Sequence, residues 1–85
     1  MLVETMAVKS ALAKIIAREN LRRAEEGLRP LSQAQIARES GVPQSVISTL
    51  SANKSRRIDF ATINGLCSFF NVPPGELFDY TPDTD

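Results

Sequence analysis

The chain has no histidine and a single cysteine, Cys67. Without histidine, the most frequent general base and a principal zinc ligand are missing, which excludes His-based catalysis and argues against a zinc site. One cysteine excludes an internal disulfide and a cysteine-rich metal centre. No apolar stretch approaches the roughly 20 residues that a membrane span needs. The opening MLVETMAV lacks the basic start and long apolar run of a secretory signal. There is no glycine-rich phosphate loop and no carboxylate pair at a spacing that suggests a cleft. A chain of 85 residues has little room for a cleft in any case. The expectation is a soluble cytoplasmic protein of one domain that is not an enzyme and carries no cofactor.

Net charge is missing too: ten basic and ten acidic side chains cancel. The distribution is uneven. Residues 1–31 sum to +2 and residues 32–58 to +3, the latter from Arg38, Lys54, Arg56 and Arg57 against Glu39. Residues 59–85 sum to −5 and contain no basic residue. A neutral protein can therefore present a local positive face.

What is present centres on Leu31–Lys54, LSQAQIARESGVPQSVISTLSANK. Ser32 followed by Gln35 reads as a capping box that opens a helix with Ile36 and Ala37 inward. Gly41 permits the positive φ of an abrupt turn. Val42 is pushed to extended geometry by Pro43, which suits the first turn of the next helix. That helix runs from Gln44 to Ser51 or Ala52. Val46, Ile47 and Leu50 form its inner face, and small Ala37 lets the two helices cross closely. The pattern is a helix-turn-helix over about residues 32–52, whose usual partner is the DNA major groove.

The outer face of the second of these helices is Gln44, Ser45, Ser48 and Thr49. A solvated face usually carries Glu and Lys; glutamine and short hydroxyl residues instead suit base edges and thymine methyls. These four are the candidate base readers. Ser32 and Gln33, at the helix start, are placed to hold a phosphate together with backbone N–H groups. The loop Ala52–Arg57 adds Asn53, Lys54, Ser55, Arg56 and Arg57 as candidates for the DNA backbone.

The flanks supply the core. Val8 to about Glu26 reads as a first helix, with Val8, Leu12, Ile15 and Ile16 on one face, extended by Leu21 and Ala24. Gly27 is its left-handed cap. The basic face of this helix either approaches phosphates or is simply solvated. Asp59 caps a fourth helix with a stripe of Phe60, Ile63, Leu66, Cys67 and Phe70, which makes Cys67 a buried, inert thiol. Phe69 either folds over the first helix or serves a dimer contact. Asn71 stops the helix, and Pro74–Phe78 forms a helical turn that seals the core with Leu77 and Phe78. Residues 2–6 and 77–81 are short strand candidates that would pair, although residues 1–6 equally read as a frayed end. Residues 82–85 are a polar tail.

LSQAQIARESGVPQSVIS resembles the motif of the phage-repressor (Cro-type, XRE-like) helix-turn-helix family from end to end. RRIDFATINGLCSFFNVPPGELFDYTPD is similar to a branch of small bacterial regulators in which a basic loop, an Ile-Asp-Phe helix start and a Pro-Gly-x-Leu-Phe-x-Tyr ending follow the motif. The resemblance covers about Leu31–Asp83. It implies an all-α, lambda-repressor-like fold of five helices, here with a small terminal β pair at most, and a backbone grip by Gln33. It also implies base reading at Gln44, Ser45, Ser48 and Thr49. The family often has Glu-Asn-Gly after the recognition helix, where this chain has Ser51-Ala52-Asn53, and the segment Asn20–Pro30 is longer than usual.

The expected function is a sequence-specific DNA-binding transcriptional regulator of repressor type, acting as a homodimer. One module buries roughly 600–1,000 Å² on DNA, so two copies would read half-sites about 34 Å apart. The alternative is an antitoxin or protein-interaction adaptor on the same fold, for which the acidic C-terminal segment and Phe69 would serve a protein partner.

Overall fold

The computed structural model describes residues 8–81. In chain order the elements are strand β1 (Val8–Ser10), helices α1 (Leu12–Glu25), α2 (Gln33–Ser40), α3 (Gln44–Ser51) and α4 (Phe60–Phe70), a 3₁₀ turn (Pro74–Leu77) and strand β2 (Phe78–Tyr80). The expectation of five helices is corrected to four α-helices and one 3₁₀ turn. The fifth segment stops at a single turn because Phe78 turns to extended backbone and pairs with Ser10 of the first strand.

The expected terminal β pair forms. Its first strand is Val8–Ser10, antiparallel to β2 with Val8 opposite Tyr80 and Ser10 opposite Phe78; the candidate strand at residues 2–6 lies outside the described residues. Val8 is therefore not on the first helix and is 56% exposed. The helix begins at Leu12, whose N–H donates to the Ser10 hydroxyl, while the Ala11 N–H donates to the Leu77 carbonyl. Strand pairing and a side-chain cap take over the turn that apolar spacing alone assigned to helix.

Leu12 and Ile15 are buried as expected, but Leu21 is 64% exposed and Ala24 is exposed. In the second half of α1 the half-buried positions are Glu19, Asn20 and Arg23, which continue the spacing of Leu12, Ile15 and Ile16, so the inward face is polar there and Leu21 and Ala24 lie off it. The helix ends in a Schellman motif: Gly27 adopts φ 76°, its N–H donates to the Ala24 carbonyl, and the Leu28 N–H donates to the Arg23 carbonyl. The connector is then tied back, because Asn20 Oδ1 accepts the Leu31 N–H at 2.7 Å and Leu31 enters the core.

One core joins all layers: Leu12 and Ile15 of α1, Leu31, Ile36 of α2, Val42 of the turn, Ile47 and Leu50 of α3, Leu66 of α4 and Leu77. Phe60 is the clear departure from the expected stripe, at 88% exposed. The buried face of α4 is centred on Leu66, with Thr62 also buried. At 100° per residue Phe60 lies roughly 120° from Leu66, and as the first helical residue it has no element opposite it. Phe69 joins the core surface instead, edge-to-face with Phe70 at 4.8 Å between ring centres. Cys67 is half-buried rather than fully enclosed, and that partial burial pushes its thiol pKa up, keeping it protonated. No helix of the described residues is long and apolar enough to cross a membrane.

Candidate nucleic-acid interface

The site is assembled by two helices and the turn between them. Ser32 caps α2, its hydroxyl accepting the Gln35 N–H at 3.0 Å. The reciprocal half of the capping box is absent: the Gln35 amide donates to Glu39 Oε2 instead. Gln33, the first residue of α2, is half-buried at that helix start. Gly41 takes the left-handed conformation at φ 80°, and its N–H donates to the Ala37 carbonyl. Pro43 is extended and stands just before α3 rather than inside it. Its carbonyl accepts the first helical bonds, from Val46 and Ile47.

A contact that spacing alone did not reveal sets the turn against the rest of the domain. A Cβ on Gly65 would stand 2.8 Å from the Ser40 carbonyl oxygen and 2.9 Å from Val42 Cγ2. Only glycine lets α4 approach the backbone of the turn this closely. The clue available in the sequence was a glycine inside a helical pattern, which costs helix stability and needs a packing reason.

With α3 held from behind, Gln44, Ser45, Ser48 and Thr49 are all exposed, while Ile47 and Leu50 are buried and Val46 packs at the core edge. The Thr49 hydroxyl donates to the Ser45 carbonyl at 2.7 Å. Its proton is spent within the helix, leaving an acceptor oxygen and a methyl group to offer a partner. The other three side chains carry no side-chain hydrogen bond among the described residues, so Gln44 keeps both amide donors and its acceptor.

The loop after α3 begins with a second Schellman motif. Asn53 adopts φ 58°, its N–H donates to the Leu50 carbonyl, and the Lys54 N–H donates to the Thr49 carbonyl. Asparagine here fills the position where the resembling family often has glycine, and it is one of the few other residues that tolerates this conformation. Its side chain is also engaged, with Oδ1 accepting the Ser10 N–H at 3.0 Å. Asn53 thus ties the end of α3 to β1, and only its amide donors remain for a phosphate. Lys54, Arg56 and Arg57 are exposed and Ser55 is half-buried.

Electrostatics separate this loop from α1. The acidic segment folds back on the first helix: Lys14 pairs with Asp79 at 2.6 Å, and Arg18 with Glu76 at 3.4 Å. Arg22 bridges Glu19 and Glu26 at 2.7 Å each, and Arg23 donates to the Arg29 carbonyl. The Arg22 guanidinium holds the Glu19 carboxyl below its usual range. None of the ion pairs among the described residues involves Arg38, Lys54, Arg56 or Arg57. Asp59, the nearest carboxylate in sequence, accepts the Thr62 N–H at 2.8 Å. Hydrogen bonding from Thr62, its side chain first and this backbone N–H second, lowers the Asp59 pKa.

A family model described as a Cro/C1-type HTH DNA-binding domain matches residues 27–83. No curated protein and no solved structure matches the chain.

Proposed function

The chain belongs to the Cro/C1-type HTH DNA-binding domain family, and from that premise we propose that it is a sequence-specific transcriptional regulator of repressor type acting in the cytoplasm. The observation that carries the reading is the uncharged, exposed outer face of α3 beside a loop whose three cations have no carboxylate partner among the described residues. Gln44, Ser45, Ser48 and Thr49 would read base edges. Ser32 and Gln33 at one end, and Asn53, Lys54, Ser55, Arg56 and Arg57 at the other, would hold the phosphates. One module spans few base pairs, so a two-fold dimer on two half-sites completes the proposal.

The test is selection of bound duplexes from a random pool, combined with the sedimentation mass of the protein and of its complex. A palindromic consensus bound by two copies is the expected result. A pool that shows no enrichment after selection overturns the reading.

A protein-partner role, as antitoxin or adaptor, draws support from a different residue than the sequence suggested. Glu76 and Asp79 are occupied by α1 and Phe69 packs on the core, whereas Phe60 stands 88% exposed. Retention of a protein partner by a chain carrying Gln44→Ala and Ser48→Ala, without DNA, would favour that second role.

A further inference from the structure

Beside the proposed phosphate loop lies a groove of about 340 Å³ between β1 and the segment that follows α3. Val8, Leu50, Ile58 and Phe78 supply its apolar lining, and Arg56 and Arg57 place two cationic residues at it; Lys9 borders it, but on β1 it alternates to the face it shares with Asp79. No carboxylate is among the described residues that line it. The volume lies in the range of small-molecule sites, and an apolar lining with a few charged groups is their usual chemistry.

We propose that this groove binds a small amphipathic anion, an aliphatic or aryl carboxylate, and that the ligand competes with DNA for Arg56 and Arg57. The occupant follows from complementarity. Apolar surface calls for a hydrocarbon body, and two arginines without a carboxylate among the described lining residues call for a negative head. A neutral apolar molecule would leave those charges unanswered, and a polyanion without a hydrocarbon part would leave the lining wet. The consequence for regulation rests on the DNA-binding reading above, because the two arginines would face a carboxylate or a phosphate but not both. The same groove is bounded by Asn53, whose side chain ties α3 to Ser10, so a bound ligand would sit against the joint that positions the recognition helix.

The experiment uses the full chain and octanoate below its micellar concentration, with octanol as the neutral control. Backbone amide shifts of Leu50, Ile58 and Phe78 are followed by heteronuclear NMR. Saturable shifts at these residues are expected, with octanol at least tenfold weaker. Val8→Asp places a carboxylate at an exposed strand position that lines the groove with Arg56 and Arg57, and should weaken octanoate at least tenfold with the fold kept; its own duplex affinity is measured first, as the baseline for the second arm. In the second arm octanoate should displace a selected duplex from the unaltered chain and not from Val8→Asp. Absence of saturable shifts in the groove, or equal binding of octanoate and octanol, overturns the site. Octanoate binding that leaves duplex occupancy unchanged overturns the competition. The NMR arm needs no DNA, so failure of the regulator reading and failure of the groove are told apart.

Discussion

Two basic regions of this protein have similar composition and opposite electrostatic fates. In α1, Lys14, Arg18 and Arg22 are met by Asp79, Glu76, Glu19 and Glu26. In the loop after α3, Lys54, Arg56 and Arg57 meet no carboxylate among the described residues. As contributions to stability the α1 pairs are small, since exposed pairs are worth about 0–1 kcal/mol. Their consequence is in the field. A cation with a carboxylate at contact distance offers a polyanion little beyond a screening length of about 10 Å, while an unpaired arginine can replace a phosphate's counterion outright. Arg23 of α1 is held by the Arg29 carbonyl rather than by a carboxylate, so the contrast is one of degree, and a neutral chain presents a cluster of unpaired positive charge where the recognition helix ends.

That contrast can be broken or sharpened by substitution. Replacing Arg56 and Arg57 together by alanine should lower affinity for every duplex by roughly ten- to a hundredfold at low salt and reduce the salt-dependence slope by about 2. A binding series from 50 to 200 mM salt, on the order used for such slopes, reads both. The matching change in α1, Lys14→Ala with Arg18→Ala, should leave affinity within about twofold and the slope unaltered. If the α1 variant loses as much as the loop variant, the division between the two regions is wrong.

Gln44→Ala should act differently from either. Discrimination should fall by about 1–3 kcal/mol at one base position, with the salt slope kept, as read by competition among single-base variants of a selected site. Gly65→Ala touches no DNA, yet its methyl must displace a backbone carbonyl, so a loss of about 1–3 kcal/mol in denaturant unfolding is expected. Gly41→Ala, which meets nothing within 4 Å, should cost only the left-handed conformation, about 1–2 kcal/mol.

The smallest effect concerns Asp59. Its folded pKa is depressed by hydrogen bonding from Thr62, so the stability it contributes is present above the unfolded carboxylate value of about 3.9. It is lost as pH falls through the lower folded value. Asp59→Asn keeps an oxygen acceptor without the titration, and comparing the two unfolding curves between pH 6 and pH 2, roughly the span of carboxylate titration, isolates that contribution.

The helix-turn-helix was legible because its signals are local. A hydroxyl at Ser32, a glycine at Gly41, a proline at Pro43 and apolar residues at Ile36, Ile47 and Leu50 each act within one turn of their own position. The same holds for Gly27 and Asp59. Val8 and Phe60 were misplaced for the complementary reason. Apolar spacing shows which residues can share a face but not whether another element stands opposite that face. Val8 went to a strand because Tyr80 lies beside it, and Phe60 was left outside because the buried face of α4 turns about Leu66. Asn53 looked like a polar loop residue. Its left-handed backbone and its bond to Ser10 appear only once the chain returns from a residue 43 positions away.

The sequence by itself determined the motif, the outer face of α3 and the sign of each segment's charge, since all of these follow from neighbouring residues. Tertiary structure decided which of those charges remain unpaired, through the return of Glu76 and Asp79 to α1. It also decided how closely α4 seats on the turn, through the missing side chain of Gly65. Both depend on distance in space between residues far apart in the chain, and helical periodicity carries no information about that distance.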